Sequence, residues 1–167
     1  MFQVNDVIIY GAQGVCRITG TEEKWIGGKK KNYFVLKPVK DQGATIFVPT
    51  DNEVVLSKMR KLLTKDEIHK LIDSMQSKSA LWEENENARK DLYKSILAKG
   101  DHVELIQMIK AIYAHKKERE AEGKRLHMSD ERFFKDAEQI LYNEFQYVLN
   151  LDSKEDLMTY IFRRLDK

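Results

Sequence analysis

The spacing of apolar residues changes near residue 60, and this change constrains the fold more than any other feature of the chain. Residues 2–58 contain short runs of β-branched and aromatic residues separated by glycines and polar residues. From Thr64 onward, apolar residues recur every three or four positions, which is the spacing of one helix face. Blocks of strands followed by blocks of helices indicate an α+β protein. We therefore predict a β domain over residues 1–60 and a helical domain over residues 61–167.

The first part has the pattern of five short strands joined by tight turns. Gly27–Gly28 matches the two-residue connection of a hairpin whose turn requires positive φ. Pro49 cannot donate a hydrogen bond to a neighbouring strand, so we expect it at a strand end or on a sheet edge. Five strands in so short a segment predict a small, strongly bent barrel of the SH3 or Tudor type. The predicted strand segments are VNDVIIYG, GVCRITGTEEKW, KKKNYFVLKPV, TIFVPT and EVVLSKM, with a further turn at KDQGA.

Capping signals divide the second part into about five helices, which we expect to form one compact all-helical domain. An oxygen-bearing side chain before a helix satisfies the free N–H groups of its first turn. A glycine after a helix, here Gly100, is a common stop signal. The predicted caps are Thr64 with Glu67 as its capping-box partner, Asp101, Ser129, and Ser153 with Asp156.

No arrangement of residues points to catalysis, to a metal or to a cofactor. Cys16 is the only cysteine and falls inside a predicted strand, where a buried structural role is the ordinary interpretation. The four histidines are not spaced as metal ligands with each other or with the cysteine. We therefore predict a protein that is not an enzyme and that needs no cofactor.

The chain has the general features of a cytoplasmic protein. Its first residues, MFQVNDVIIY, lack the basic segment of a secretory signal and run directly into a strand pattern. No apolar stretch approaches the ~20 residues that span a bilayer. A single cysteine excludes an internal disulfide and fits a reducing compartment.

Two kinds of binding surface remain. A small barrel exposes strand edges, and an edge can pair with a strand of another protein. Ile46, Phe47 and Val48 are consecutive apolar residues, so either one faces a partner or the strand is covered on both faces. For Lys24 and Trp25 the default interpretation is a solvated lysine and a tryptophan that covers the barrel.

Charge alone favours nucleic acid only weakly. The net charge of the whole chain is +2. Residues 1–60 hold nine Lys/Arg and six Asp/Glu, whereas residues 61–167 hold 20 and 21. Basic residues gather in two stretches of the helical part, but glutamates interrupt the second stretch, which favours an ordinary solvated surface.

Taken together, these segments resemble the CarD family, also called CdnL-like, whose members are bacterial transcription regulators that bind RNA polymerase. The likeness extends over nearly the whole chain, and a similar barrel occurs in the transcription–repair coupling factor. The residues that carry it are Val4, Asp6, Ile8, Ile9, Tyr10 and Gly14; residues 33–37; Val48 and Pro49; Arg89, Leu97, Gly100 and Asp101; and Ala137, Ile140, Leu141 and Glu144.

The resemblance implies a separate role for each domain. The barrel would place a strand edge beside the β subunit of RNA polymerase, and the helical domain would contact promoter DNA weakly and without sequence specificity at the upstream edge of the melted region. Phe47 stands where many members carry arginine, so an apolar contact would have to replace a polar one. The implied polymerase-binding residues are Lys24, Thr45, Ile46, Phe47, Val48 and Pro49; the implied DNA-binding residues are Trp82, Arg89, Lys90, Lys117, Lys124, Arg125 and Arg132.

Trp82 has two interpretations that the sequence leaves open. In the family a tryptophan wedges into the minor groove and slows collapse of the open promoter, which is physically reasonable because only unwound DNA offers the space. Many members place that residue where this chain has Glu86. Trp82 lies four positions earlier, or ~6 Å along a continuous helix. It could reach DNA from there, or it could pack with Leu81 as a hydrophobic anchor of the helix start.

We therefore predict a transcription regulator that binds the polymerase β subunit through its barrel and stabilises the open promoter complex through its helices. The alternative is a protein-interaction adaptor that uses the barrel edge on another partner and does not contact nucleic acid. The nearly neutral charge of the helical part favours the alternative.

Overall fold

The computed structural model describes residues 2–41 and 43–165. The chain forms two compact units, Met1–Leu62 and Leu63–Lys167. Strands dominate the first and helices the second, so the predicted α+β class is confirmed. Among the described residues, no helix is both long enough and apolar enough to cross a membrane.

The first unit is a five-stranded antiparallel sheet around a small core. The strands lie in the order β4-β3-β2-β1-β5, which leaves β4 and β5 at the two ends of the sheet. The core residues are Ile8, Cys16, Ile18, Leu36, Val48 and Met59. The elements are β1 (Val7–Tyr10), β2 (Val15–Ile26), β3 (Lys29–Pro38), β4 (Ile46–Pro49), the short helix α1 (Glu53–Leu56) and β5 (Met59–Lys61).

The predicted hairpin at Gly27–Gly28 is confirmed. Strands β2 and β3 pair up to Ile26 and Lys29, so only the two glycines form the turn. Their φ angles are 61° and 78°. Both central residues of such a turn need positive φ, which glycine adopts without steric cost.

The predicted fifth strand, EVVLSKM, is wrong over most of its length. Asn52 accepts hydrogen bonds from the N–H groups of Val54 and Val55, and this cap starts a helix where the valines favour a strand. Val54 is 75% exposed, so its side chain gains none of the packing on a sheet that favours valine in strands. The true fifth strand follows as β5.

The other turn and Pro49 agree with prediction as far as the structure describes them. Ala44 N–H donates to the carbonyl of Asp41 at 3.1 Å across the KDQGA segment. Gln42, which belongs to the same predicted turn, lies outside the described residues. Pro49 is the last residue of β4, an end strand of the sheet, as expected for a residue without an N–H.

The second unit consists of five helices around one core. These are α2 (Lys65–Ser74), α3 (Glu86–Lys99), α4 (His102–Ala121), α5 (Met128–Leu149) and α6 (Lys154–Leu165). Fully or nearly fully buried residues from all five helices form the core: Ile68, Ile72, Tyr93, Ile96, Leu105, Ile106, Met108, Ile112, Ala137, Ile140, Leu141, Phe145, Leu157 and Ile161.

Most of the predicted helix ends are confirmed. Thr64 and Glu67 form the full capping box, with reciprocal bonds of 3.0 and 3.1 Å. Gly100 ends α3 with φ 71°, and Asp101 caps α4 by accepting from Glu104 N–H at 3.0 Å. Ser153 accepts from Asp156 N–H before α6.

The predicted start at Ser129 is wrong. Helix α5 begins one residue earlier, at Met128, and His127 precedes it without a side-chain capping bond. Asp130 and Glu131 lie in the first turn instead, where negative charge favours the helix dipole.

A buried carboxylate fixes the first residue of the second unit. Glu144 is fully buried on α5 and accepts a hydrogen bond from Leu63 N–H at 2.8 Å. His102 Nε2 lies 2.8 Å from its other oxygen. Buried polar groups require such partners, so Glu144 joins α5, the start of α4 and the segment before α2.

Candidate functional site

The outer edge of β4 has backbone groups available for pairing. Within the residues that the structure describes, β3 is the strand that pairs with β4, from Tyr33↔Pro49 to Leu36↔Ile46. Thr50 N–H donates to the carbonyl of Asn32, which sets the alternation of the antiparallel ladder. In such a ladder every second residue bonds to the neighbouring strand. The backbone of Val48 therefore bonds to β3, and the N–H and C=O of Phe47 point away from β3.

The side chains of β4 alternate in the same way. Val48 is fully buried in the core, and Ile46 packs beside it. Phe47 lies on the opposite face and is 38% exposed. The question that the three consecutive apolar residues raised is therefore answered for this strand: the phenylalanine faces outward.

Lys24 lies beside Phe47. Its Nζ is 3.4 Å from the centroid of the Phe47 ring, within the range of a cation–π contact. The sequence predicted a simply solvated lysine, so the ring contact is an additional finding. Thr45 is exposed immediately before β4, and Pro49 is partly exposed at its end.

Trp25 does not cover the barrel. Its side chain is 71% exposed, and the neighbouring Ile26 is 53% exposed. Both residues lie at the end of β2, next to the Gly27–Gly28 turn, where no other strand pairs with the β2–β3 hairpin in the described structure. The default interpretation of Trp25 as a covering residue is therefore wrong.

Cys16 is buried, as expected for a structural cysteine. It is fully buried in the core of the first unit, and burial raises the pKa of its thiol to about 11. The reactive thiolate is therefore scarce at neutral pH. No group of three or more His, Cys, Asp or Glu residues within residues 2–41 and 43–165 is arranged to hold a metal ion.

Arg89 lies at the centre of a buried cluster in the second unit, which corrects its assignment to a DNA-binding surface. It is only 4% exposed, and Asp130 is 1% exposed. Arg89 donates Nε to Asp130 Oδ1 at 2.9 Å and Nη2 to Oδ2 at 3.0 Å, a two-point pairing. Its third nitrogen, Nη1, donates to the carbonyl of Glu83 at 2.9 Å. A guanidinium held in this way is not available to a phosphate.

Trp82 packs against this cluster. Its ring centroid lies 4.2 Å from that of His115 on α4 and 4.3 Å from the guanidinium carbon of Arg89. Leu81 is also tied down, since its N–H donates to Gln107 O and its carbonyl accepts from Tyr93 Oη. The segment before α3 is thus held on both sides by neighbouring helices.

The environment of Tyr93 reflects the same burial. Desolvation raises the pKa of Tyr93, and the Asp130 carboxylate acts in the same direction, whereas Arg89 opposes it. The phenol therefore stays protonated and keeps donating its hydrogen bond to Leu81.

The remaining predicted basic residues are at the surface. Lys90, Lys117 and Lys124 each lie 3.4–3.7 Å from a glutamate close in sequence. Arg125 and Arg132 are exposed. Exposed pairs of this kind contribute only about 0–1 kcal/mol, so a phosphate can compete with the glutamates.

Two of these residues share a cleft. Lys124 and Arg125 line a cleft of about 480 Å³ between the end of α4 and α5. It also contains negative charge, so it is a mixed surface rather than a purely basic one. Its other charged residues are Lys116, Glu120, Glu131, Lys135, Glu138 and Lys154.

Comparison with known families identifies the first unit. Residues 2–62 match the family model described as the CarD-like/TRCF RID domain. The first unit belongs to this family. The match covers nearly all of the first unit, which is called the RID from here on, and confirms the resemblance of this unit to the CarD family. RID domains are non-enzymatic domains that interact with RNA polymerase, so the protein is associated with transcription.

Some residues of these surfaces were missed at the sequence level. Asp130 is 41 positions from Arg89, and no local pattern links the two. The contact of His115 with Trp82 also depends on how α4 packs. The exposure of Trp25 in the RID could have been inferred, because residues flanking a two-residue turn lie at the free end of a ribbon.

Proposed function

We propose that the RID binds the β subunit of RNA polymerase in the bacterial cytoplasm by adding β4 to a strand edge of that subunit. The observation that carries the proposal is the outward backbone of Phe47 on an end strand. Strand addition uses such groups for affinity and neighbouring side chains for specificity. Lys24, Thr45, Ile46, Phe47, Val48 and Pro49 are the proposed contact segment.

Backbone pairing alone is too weak for a stable complex. Phe47 offers an N–H and a C=O, and Pro49 offers only a C=O because it has no N–H. At about 0.5–1.5 kcal/mol each, three bonds contribute about 1.5–4.5 kcal/mol. Association itself costs about 4–15 kcal/mol. The exposed Phe47 ring and the Lys24 ammonium beside it must therefore supply much of the affinity.

A pair of substitutions at one position tests the use of the edge. Phe47→Ala removes the ring but keeps the N–H, whereas Phe47→Pro removes both and leaves the bonds of Val48 with β3 in place. We expect the alanine variant to bind purified β subunit less tightly than the native protein. The affinity of the proline variant should be about tenfold lower again, which corresponds to about 1.4 kcal/mol of binding free energy. Equal affinities of the two variants would show that the edge is not used.

For the second unit we propose a weak contact with promoter DNA at the upstream edge of the melted region. The residues that support it are the exposed cations Lys90, Lys117, Lys124, Arg125 and Arg132. Since the glutamate partners of Lys90, Lys117 and Lys124 hold these lysines loosely, each can turn toward a phosphate. A contact made more strongly with the open complex than with the closed one shifts the equilibrium toward the open state.

We assign Trp82 an anchoring role in this unit. Its packing against His115 and Arg89 supports this role, as does its position before α3, which begins only at Glu86. We expect Trp82→Ala to lower the melting temperature and Trp82→Phe to retain most of it. If Trp82→Ala shortens the lifetime of the open complex at a temperature where the unit is fully folded, the ring acts on DNA instead.

A second candidate function is an adaptor that binds protein through β4 and does not contact DNA. The burial of Arg89 favours it, because one of the predicted phosphate contacts is removed from the surface. A salt titration of the complete polymerase–promoter complex separates the two. Contacts with several phosphates weaken steeply with salt, whereas strand addition does not.

A further inference from the structure

The β2–β3 hairpin extends beyond the rest of the sheet of the RID as a two-stranded arm, residues 22–32. The pairing of β4 with β3 ends at Tyr33, followed by one more bond from Thr50 N–H to the carbonyl of Asn32, and β1 pairs only with residues 15–17 of β2. Within the arm Lys24 is partly buried, and the other residues are exposed. A two-stranded ribbon has no core of its own, and apart from Lys24, which lies on the Phe47 ring, the side chains of the arm face solvent.

The register of the arm places a lysine opposite each of the last residues of β2. The pairs are Lys24↔Lys31, Trp25↔Lys30 and Ile26↔Lys29. Because paired residues lie on the same face, each face carries lysine next to an exposed apolar residue at the tip. Trp25 and Lys30 share one face, and Ile26 and Lys29 share the other.

Two of the four lysines of the arm, Lys29 and Lys31, take part in neither an ion pair nor the Phe47 contact in the described structure. Lys30 lies 2.6 Å from Glu23 and is partly neutralised. Within the part of the chain that the structure describes, Lys29 and Lys31 have no carboxylate within 4.0 Å. Both are exposed, so a multivalent anion can reach them without breaking an ion pair.

We propose that this arm binds duplex DNA, with Lys29 and Lys31 on phosphates and the Trp25–Ile26 tip in a groove. This is a second DNA contact, located in the RID, and it does not depend on the surface proposed for the helical unit. Phosphates are favoured over a protein surface because lysine is depleted at the cores of protein–protein interfaces. Apolar side chains at the end of a DNA-binding element are known to enter between or beside bases.

The dimensions of the arm agree with this occupant. Lys29 to Lys31, the residues of β3 that follow the turn, span ~7 Å, compared with a major groove depth of ~8.5 Å. The major groove is wide enough to admit a two-stranded ribbon. The Trp25 indole can therefore enter the groove, while the long side chains of Lys29 and Lys31, on the other strand of the arm, extend to the phosphates that border it.

Equilibrium binding of the full chain to a short fluorescein-labelled duplex tests the proposal. The test variant is Lys29→Ala/Lys31→Ala, and the matched control is Lys37→Ala/Lys40→Ala, which removes the same charge from exposed positions outside the arm. Between about 50 and 200 mM salt, each lost phosphate contact lowers the slope of log K against log salt by about 0.9. We expect the magnitude of this slope to be smaller by about 2 in the test variant and unchanged in the control.

Binding to the β subunit is measured with the same proteins, which keeps this proposal separate from the proposed function. The proposal is supported if the arm variant loses DNA affinity and its salt slope while it binds the β subunit like the control. It is overturned if both variants bind DNA equally. It is also overturned if the arm variant binds DNA normally and loses the β subunit, since the arm would then dock on protein. Trp25→Ala should weaken DNA binding about fivefold or more with an unchanged slope, because stacking or groove packing carries no charge.

Discussion

Asp130→Ala is the substitution whose effect follows most directly from the structure. It removes both oxygens that pair with Arg89, at 2.9 and 3.0 Å, and leaves a guanidinium that is 4% exposed. The remaining partners are neutral carbonyls and the ring of Trp82. Breaking a buried pair from one side costs about 3–5 kcal/mol, because the remaining charge is desolvated without compensation.

The magnitude is large enough to measure by thermal unfolding. For a unit of this size, each kcal/mol shifts the melting temperature by about 4 °C, so we expect a decrease of about 12–20 °C. Circular dichroism at a helix wavelength reports the second unit, which holds the five long helices. Tryptophan fluorescence adds a local probe, since Trp82 packs on the cluster whereas Trp25 is already 71% exposed.

Two companion variants isolate the buried pair. Glu131→Ala, on the next residue of α5, removes an exposed pair with Lys135 at 3.9 Å and should cost less than about 0.5 kcal/mol. Arg89→Met/Asp130→Leu should recover much of the loss, because apolar replacement of a buried pair is often neutral. If Asp130→Ala is no more destabilising than Glu131→Ala, the pair is not desolvated and the anchoring role built on it fails.

Two further predictions concern the helix caps and the buried thiol. Thr64→Ala should cost about 1–2 kcal/mol in urea unfolding because the capping box is lost, whereas Ser129→Ala should be nearly neutral because Ser129 does not cap α5. Burial raises the pKa of Cys16 to about 11, above the value of about 8.5 for an unfolded chain. The contribution of Cys16 to the free energy of unfolding is therefore fully present below about pH 8.5 and is lost as the pH rises toward 11. In a labelling experiment read by mass spectrometry, Cys16 should be protected from iodoacetamide at pH 8 until the protein is unfolded.

Features that depend on neighbouring residues were predictable from the sequence. The Gly27–Gly28 turn, the capping box and the stop at Gly100 each use residues within a few positions of one another. Such signals act in the same way in most folds. Where two local signals competed, as with the Asn52 cap against the strand propensity of Val54 and Val55, the sequence did not show which would win.

Features that depend on distant residues were not predictable. Arg89 had the appearance of a surface cation because its sequence neighbours are polar, and only the packing of α3 on α5 brings Asp130 to it. Phe47 and Lys24 meet across the sheet for the same reason. Which side chains of the proposed surfaces are free to act therefore depends on tertiary contacts.

An open strand margin also carries a risk of uncontrolled self-assembly, and the end of β4 limits that risk. Pro49 ends β4 and has no amide hydrogen. The outer edge of β4 therefore offers few backbone N–H donors to a strand from a second copy of the protein. Such a short, interrupted ladder does not propagate into a fibril. Pro49 thus disfavours self-association through this edge, whereas a partner that also contacts the surrounding side chains can still bind.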